Sequence, residues 1–291
     1  MGARHKPVTS GLNIGIIGAG QMGKGITLTC LLSGYTVNLY DNNKAALSKC
    51  AEKIKASLEK FLNQGKITEK HFQKALISLW THTSFAFLNQ MDIVIEAVPE
   101  DYLIKEVLFK EINPFLKENT ILSSNTSSLS INILAKTIPF AERFVGLHFM
   151  NPAELMPLVE IIPCMQTSKA TLEKIQLFVQ TLGKECVYSK DRPGFVINRL
   201  LILLINEAIF LLTEEIATAS DIDKAMKLGA NFPMGPLALA DMIGLDTCLA
   251  ILETLERELD SIKYRPCPLL KEYVKQGKLG KKSKHGFYQY S

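Results

Sequence analysis

The chain has 291 residues, 47% hydrophobic and 21% charged, with a formal net charge of +4. That is an ordinary globular composition, long enough for two domains or one large one. The balance is too mild for a nucleic-acid partner, and no basic cluster with interleaved aromatics occurs. The opening "MGARHKPVTSG" has no apolar stretch, so a signal peptide is not expected. Six cysteines, at 30, 50, 164, 186, 248 and 267, form no CxxC pair. Neither disulfides nor a metal site is expected, and a reducing, cytoplasmic setting is.

In chain order, "LNIGIIGAG" reads as a buried strand, "QMGKGITLTCLLSGY" as a helix and "TVNLYD" as a second strand. The joint holds Gly18-Ala19-Gly20-Gln21-Met22-Gly23, a GxGxxG at a strand-to-helix turn. Gly18 permits the tight turn, Gly20 lets backbone approach a pyrophosphate, and Gly23 lets helix and strand pack closely. Helix N-terminal N–H groups then face the phosphates. Asp41, ending strand two, is the expected partner of an adenosine ribose. A carboxylate there repels a 2′-phosphate, so NAD is favoured over NADP, although Lys44 follows closely. Tyr40 and Lys44 also spell YxxxK, but Tyr40 lies inside the strand, and the match is treated as coincidence.

From Asn42 to Ile77, Leu47, Ala51, Ile54, Leu58 and Phe61 recur at helical spacing, and a second helical segment follows "NQGKI". This predicts a helical hairpin inserted in the crossover. It carries eight lysines against three glutamates, either a solvated face or a landing surface for a polyanion. The runs "DIVIEAV", "TILSSN", "RFVGLHFM" and "PLVEII" follow, with helical segments Ile104 to Leu116 and Thr171 to Leu182 between most of them. Continuous apolar strands alternating with helices predict a parallel sheet covered on both faces. The link between "RFVGLHFM" and "PLVEII" is too short for a helical crossover, so those two strands are expected to be antiparallel.

After "KDRPGF" the pattern becomes helical, which predicts a boundary between residues 1–192 and 193–291. The apolar run from Phe195 to Thr213 contains Asn198, Arg199, Asn206 and Glu207. Such groups are costly in mid-bilayer, so a protein core or dimer interface is expected and no membrane span. The fold class is therefore α/β: a doubly wound Rossmann-type sheet with an inserted helical hairpin, then an all-α C-terminal domain.

His148 and Glu160 fall on the two strands expected to be antiparallel neighbours. A lone pair of this kind is most often a satisfied core histidine. Beside a dinucleotide fingerprint, the reading favoured is a general base whose ring is oriented by a carboxylate.

The ordered set "IGIIGAGQMGKGI", "SNTSSL", "HFMNP", "LVE", "RPGFVINRL", "MGPLALADMIGLD" and "KSKHGFYQY" resembles the 3-hydroxyacyl-CoA dehydrogenases, bacterial 3-hydroxybutyryl-CoA dehydrogenases most of all. The resemblance runs through nearly the whole chain. It implies NAD-dependent oxidation of an L-3-hydroxyacyl-CoA by a homodimer, with His148 as base, Glu160 orienting it, and Ser127 and Asn198 on the substrate oxygens. It further implies that Glu100, Lys105, Ser127, Asn151 and Lys282 line the nicotinamide side of the cofactor site, and that Ser57 contacts CoA. Departures are Pro157 and Gln64, where relatives often carry lysine, and His285, expected at the surface. The alternative is a related dehydrogenase for another hydroxy acid or an acyl-carrier thioester. Relatives acting on sugar acids use a lysine base on the second domain's first helix, and no lysine lies between Phe195 and Thr213. A further class is a cofactor-binding protein without turnover.

Overall fold

The structure, a computed structural model, describes residues 11–291; the signal-peptide reading falls mainly on residues 1–10, outside them. The chain divides into two compact units, 1–192 and 193–291. In chain order the first contains β1 (Asn13–Ile17), α1 (Gln21–Leu32), β2 (Thr36–Tyr40), α2 (Lys44–Asn63), α3 (Glu69–Ile77), β3 (Leu79–His82) and β4 (Ile93–Glu96). It continues with α4 (Tyr102–Ile112), β5 (Ile121–Ser124), α5 (Ile131–Ala135), β6 (Phe144–Phe149), β7 (Leu158–Pro163), α6 (Lys169–Thr181) and β8 (Glu185–Tyr188).

The eight strands form one sheet in the order β3-β2-β1-β4-β5-β6-β7-β8. Pairing is parallel except between β6 and β7, which are antiparallel. The strand order reverses direction at β1/β4, and in such sheets ligands bind beyond the strand carboxyl ends at that point. β1, β4, β5 and β6 are buried almost throughout, as strands covered on both faces must be. Ile14, Ile16, Ile26, Leu28, Val37 and Leu39, all fully buried, form the centre of the core on one face. Each such side chain contributes about 1.5–3 kcal/mol on leaving water.

Two strands were not expected from sequence. β3 (LWTH) and β8 (ECVY) are the sheet edges, only four residues long and largely exposed. Half-solvated short edges carry neither an apolar run nor a strict alternation, so periodicity misses them. The helical segment from Ile104 also ends earlier, at Ile112, and Asn113–Phe115 continues as a 3₁₀ turn. Pro114 lacks the N–H that would extend the α-helix.

The inserted hairpin is α2 and α3. α2 starts at Asn43, whose Oδ1 accepts from the N–H groups of Ala45 and Ala46, a cap worth about 1 kcal/mol. α2 buries Leu47, Cys50, Ile54 and Leu58 on one face. All eight hairpin lysines are exposed.

The second unit is helical: α7 (Ile197–Thr213), α8 (Ala219–Gly229), α9 (Pro236–Ile243), α10 (Leu245–Leu259) and α11 (Pro268–Lys275). α7 packs Ile202, Ile205 and Ile209 into this unit's own core. Both ends of its buried Asn206 amide are bonded: Nδ2 donates to the Arg265 carbonyl and Oδ1 accepts from Cys267 N–H, which resolves a polar residue inside an apolar run. No helix among the described residues is long and apolar enough to cross a membrane. The tail is held by two buried acids. Asp241 accepts from the N–H groups of Phe287 and Tyr288 and from the Tyr290 hydroxyl, and Asp223 accepts from the Tyr288 hydroxyl. His285 is exposed.

Candidate active site

At the β1–α1 turn the three glycines do three different things. Gly18 has φ +108°, and a Cβ there would lie 2.6 Å from the Ala97 carbonyl oxygen. At Gly23 a Cβ would lie 1.8 Å from the Gly18 oxygen. At Gly20 a Cβ would meet nothing within 4 Å. The protein itself therefore requires glycine at 18 and 23, whereas at 20 the open space lies where a pyrophosphate would approach. Gly20 is the N-cap of α1 and offers no side-chain cap, so the first-turn N–H groups are available in direction and charge to an anion. Asp41 stands beside them: Oδ2 accepts from Ala19 N–H at 2.8 Å and Oδ1 from Asn43 N–H at 2.8 Å. Each carboxylate oxygen retains acceptor capacity, so the turn and a ribose diol can share this residue. Gln21 Nε2 donates to Asn151 Oδ1 at 3.1 Å, joining the turn to the loop after β6. These features fit a dinucleotide.

Beyond β4 and β5 lies a charged network. Glu100 Oε1 accepts from Thr126 Oγ1 at 2.6 Å, from Ser127 N and Oγ at 2.8 and 3.1 Å, and from Ser128 N and Oγ at 3.0 and 3.1 Å. Burial opposes its charge, but the Lys105 ammonium and these donors outweigh that and hold the carboxyl below the usual range. Lys105 is fully buried; its Nζ meets Glu96 Oε1 and Oε2 at 2.6 and 2.8 Å and Glu100 Oε2 at 3.6 Å. Lys105 thus stands behind Glu100 rather than at the surface.

His148 and Glu160 are register partners on β6 and β7. Antiparallel pairing puts both side chains on the same face, and His148 Nδ1 lies 2.7 Å from Glu160 Oε2. Glu160 is fully buried and His148 is 7% exposed. A carboxylate only accepts, so Nδ1 carries the hydrogen and the neutral ring has its lone pair on Nε2. Asn125 Oδ1 accepts from Phe149 N–H at 3.0 Å, fixing the strand beside His148.

The first unit thus brings together Gly18, Gly20, Gln21, Met22, Gly23, Asp41 and Asn151 around the turn. Glu100, Lys105 and Ser127 form a second group, and His148 and Glu160 a third. Ser57 is on α2, its Oγ donating to the Lys53 carbonyl. Asn198 and Lys282 belong to the second unit, Asn198 in the first turn of α7 and Lys282 with its Nζ 2.6 Å from the Asp246 carboxylate. Sequence reading passed over Glu96 and Asn125. Glu96 lies within the run "DIVIEAV" with Lys105 nine residues on, a spacing that by itself gives no contact. Asn125 sits in "SSNTSS", where turn residues are expected and one partly buried acceptor does not stand out.

A doubly wound sheet with this glycine turn and a buried histidine–carboxylate pair defines a nicotinamide-dependent oxidoreductase. Residues 13–192 match the profile of the 3-hydroxyacyl-CoA dehydrogenase NAD binding domain, and residues 194–290 that of the 3-hydroxyacyl-CoA dehydrogenase C-terminal domain. The chain is 45% identical to a probable 3-hydroxybutyryl-CoA dehydrogenase of Bacillus subtilis, over 94% of this chain and 96% of the relative. It is also 45% identical to the 3-hydroxybutyryl-CoA dehydrogenase of Bradyrhizobium diazoefficiens, over 95% and 94%. The crystal structure of (S)-3-hydroxybutyryl-CoA dehydrogenase from Ralstonia eutropha superposes with a TM-score of 0.92 at 45% identity, covering 96% of this chain and 99% of that one. The chain belongs to the 3-hydroxyacyl-CoA dehydrogenase family.

Proposed function

We propose that the protein oxidises an L-3-hydroxyacyl-CoA, 3-hydroxybutyryl-CoA foremost, to the 3-ketoacyl-CoA, and runs the reverse reaction. The observation carrying this reading is the buried His148–Glu160 pair in the same unit as the glycine turn. Bound NAD supplies the hydride acceptor. Gly18, Gly20, Gly23 and the α1 N-terminus hold its pyrophosphate and Asp41 its ribose; Gln21, Met22, Glu100, Ser127 and Asn151 border the rest of its site with Lys105 behind Glu100, and the family resemblance adds Lys282. His148 Nε2 takes the hydroxyl proton as the C3–H bond breaks with its electron pair, and the C=O bond forms from the O–H pair. Glu160 fixes the ring orientation and stabilises the imidazolium. Ser127 and Asn198 hold the substrate oxygens, a role that rests on the family resemblance.

The exposed lysines of the α2–α3 hairpin, with Ser57 among them, receive the CoA phosphates. Such contacts bind a part of the substrate remote from the reacting carbon. A homodimer is supported by exposed apolar residues of the second unit, Leu200, Ile216, Leu228 and Met242, and a reducing, cytoplasmic residence by six free cysteines. The test is NADH formation with 3-hydroxybutyryl-CoA compared with free 3-hydroxybutyrate. Turnover confined to the thioester is expected; turnover of the free acid alone would overturn the reading.

A further inference from the structure

Glu96, at the carboxyl end of β4, is fully buried, and its register partners are Ile17 on β1 and Ser124 on β5. It therefore stands directly beneath the glycine turn. Its two oxygens accept from Lys105 Nζ at 2.6 and 2.8 Å, from Ser124 Oγ at 2.5 Å and from Val98 N–H at 2.7 Å. Every one of these partners is a donor, the arrangement an ionised carboxylate requires. Burial holds the Glu96 carboxyl above its ordinary value, and the ammonium with the other donors offsets part of that rise.

Counting charges in the network gives two carboxylates, Glu96 and Glu100, and one ammonium, Lys105. Lys105 is closest to Glu96, at 2.6 Å, and one ångström further from Glu100, at 3.6 Å. Glu96 thus absorbs most of the lysine's charge, and Glu100 remains a carboxylate that serine and threonine donors stabilise but do not neutralise. Glu100 is also the outermost member, with a side chain 34% exposed against 0% for Glu96 and Lys105.

We propose that Glu96 is a positioning residue that sets the charge of the cofactor site, neutralising Lys105 so that the surplus carboxylate of Glu100 favours the oxidised, positively charged nicotinamide over the reduced, neutral one. This rests on the reading that Glu100 lines the nicotinamide side. NAD+ and NADH share the same adenosine and pyrophosphate, so any effect of the network on those parts cancels in the ratio of their affinities. The single positive charge that distinguishes them does not cancel. In the oxidative direction a site biased in this way binds the incoming cofactor firmly and releases the reduced one readily.

The experiment is a pair of dissociation constants, for NAD+ and for NADH, measured by titration calorimetry on the full chain at fixed ionic strength without acyl substrate. The variants are Glu96→Gln, which leaves Lys105 to neutralise Glu100, and Glu100→Gln, whose partly exposed side chain makes folding less demanding. Each raises the network charge from −1 to zero. The ratio Kd(NADH)/Kd(NAD+) is expected to fall about tenfold in each folded variant, the order expected for one partly screened charge. A merely structural role would weaken both dinucleotides together and leave the ratio in place. A ratio unchanged in either folded variant would overturn the proposal while leaving the dehydrogenase reading intact. Wild-type protein that binds neither dinucleotide would instead overturn the proposed function and the proposal with it.

Discussion

Replacing Glu160 with glutamine keeps the shape of the side chain and removes its charge. The carboxylate is fully buried, with Oε2 2.7 Å from His148 Nδ1, so water offers the ring no substitute. In the proposed mechanism the imidazole gains a positive charge beside this group during oxidation. Unit charges about 4 Å apart at an effective dielectric near 20 interact by about 4 kcal/mol. The amide dipole returns part of that, which leaves a loss of about 3 kcal/mol, or roughly a hundredfold in kcat. A second effect acts in the same direction. An amide NH2 turned toward Nδ1 would place the ring hydrogen on Nε2 and remove the base altogether. The assay is kcat with 3-hydroxybutyryl-CoA, paired with the NAD dissociation constant, which should stay near its wild-type value because the glycine turn is untouched. A folded variant with kcat within about threefold of wild type would refute this use of the electrostatics.

The glycines of the turn should separate cleanly. Gly23→Ala forces a Cβ to 1.8 Å from the Gly18 oxygen and should lower stability by about 1–3 kcal/mol in denaturant unfolding. Gly20→Ala meets no protein atom within 4 Å and should leave stability nearly intact while weakening NAD binding about tenfold; equal effects on both properties at both positions would contradict the division of roles. Asp41→Asn keeps one of the two oxygens that accept from Ala19 and Asn43 N–H and removes the charge that repels a 2′-phosphate, so the preference for NAD over NADP should fall about tenfold in kcat/KM. For pH, the Glu100 carboxyl is held below its ordinary value of 4.5. Its contribution to stability is therefore complete above that value and is lost as pH falls through the lower, folded-state value. Urea midpoints of wild type and Glu100→Gln should accordingly differ most above pH 4.5 and converge on acidification below it; a gap that widens instead would show the sign to be wrong.

What could be read from sequence was set by how strongly each element is buried on both sides. β1, β4, β5 and β6 announced themselves because each carries an apolar run that is buried, while β3 and β8, at the sheet edges, did not. The antiparallel joint followed from the length of a link, and it alone puts His148 opposite Glu160. The glycine turn and Asp41 were legible because each position answers to a separate steric or electrostatic demand. The Glu96–Lys105 pair was not, since a sequence gives no distance between a strand end and the next helix. Lys105, which the resemblance places along the nicotinamide side, is fully buried behind Glu100. The tail "HGFYQY" was legible only as a resemblance; its reason is local, because a Cβ at Gly286 would lie 1.9 Å from Asp241 Oδ1.

The most direct measurement is the single-turnover rate of hydride transfer in His148→Ala, with NAD affinity determined on the same preparation. Loss of the base should slow the step by about 10²–10⁴-fold and leave the NAD dissociation constant close to wild type, since the ring belongs to β6 and the turn proposed to hold the cofactor's phosphates joins β1 and α1. A rate near that of wild type, in a protein that still binds NAD, would show that another group takes the proton.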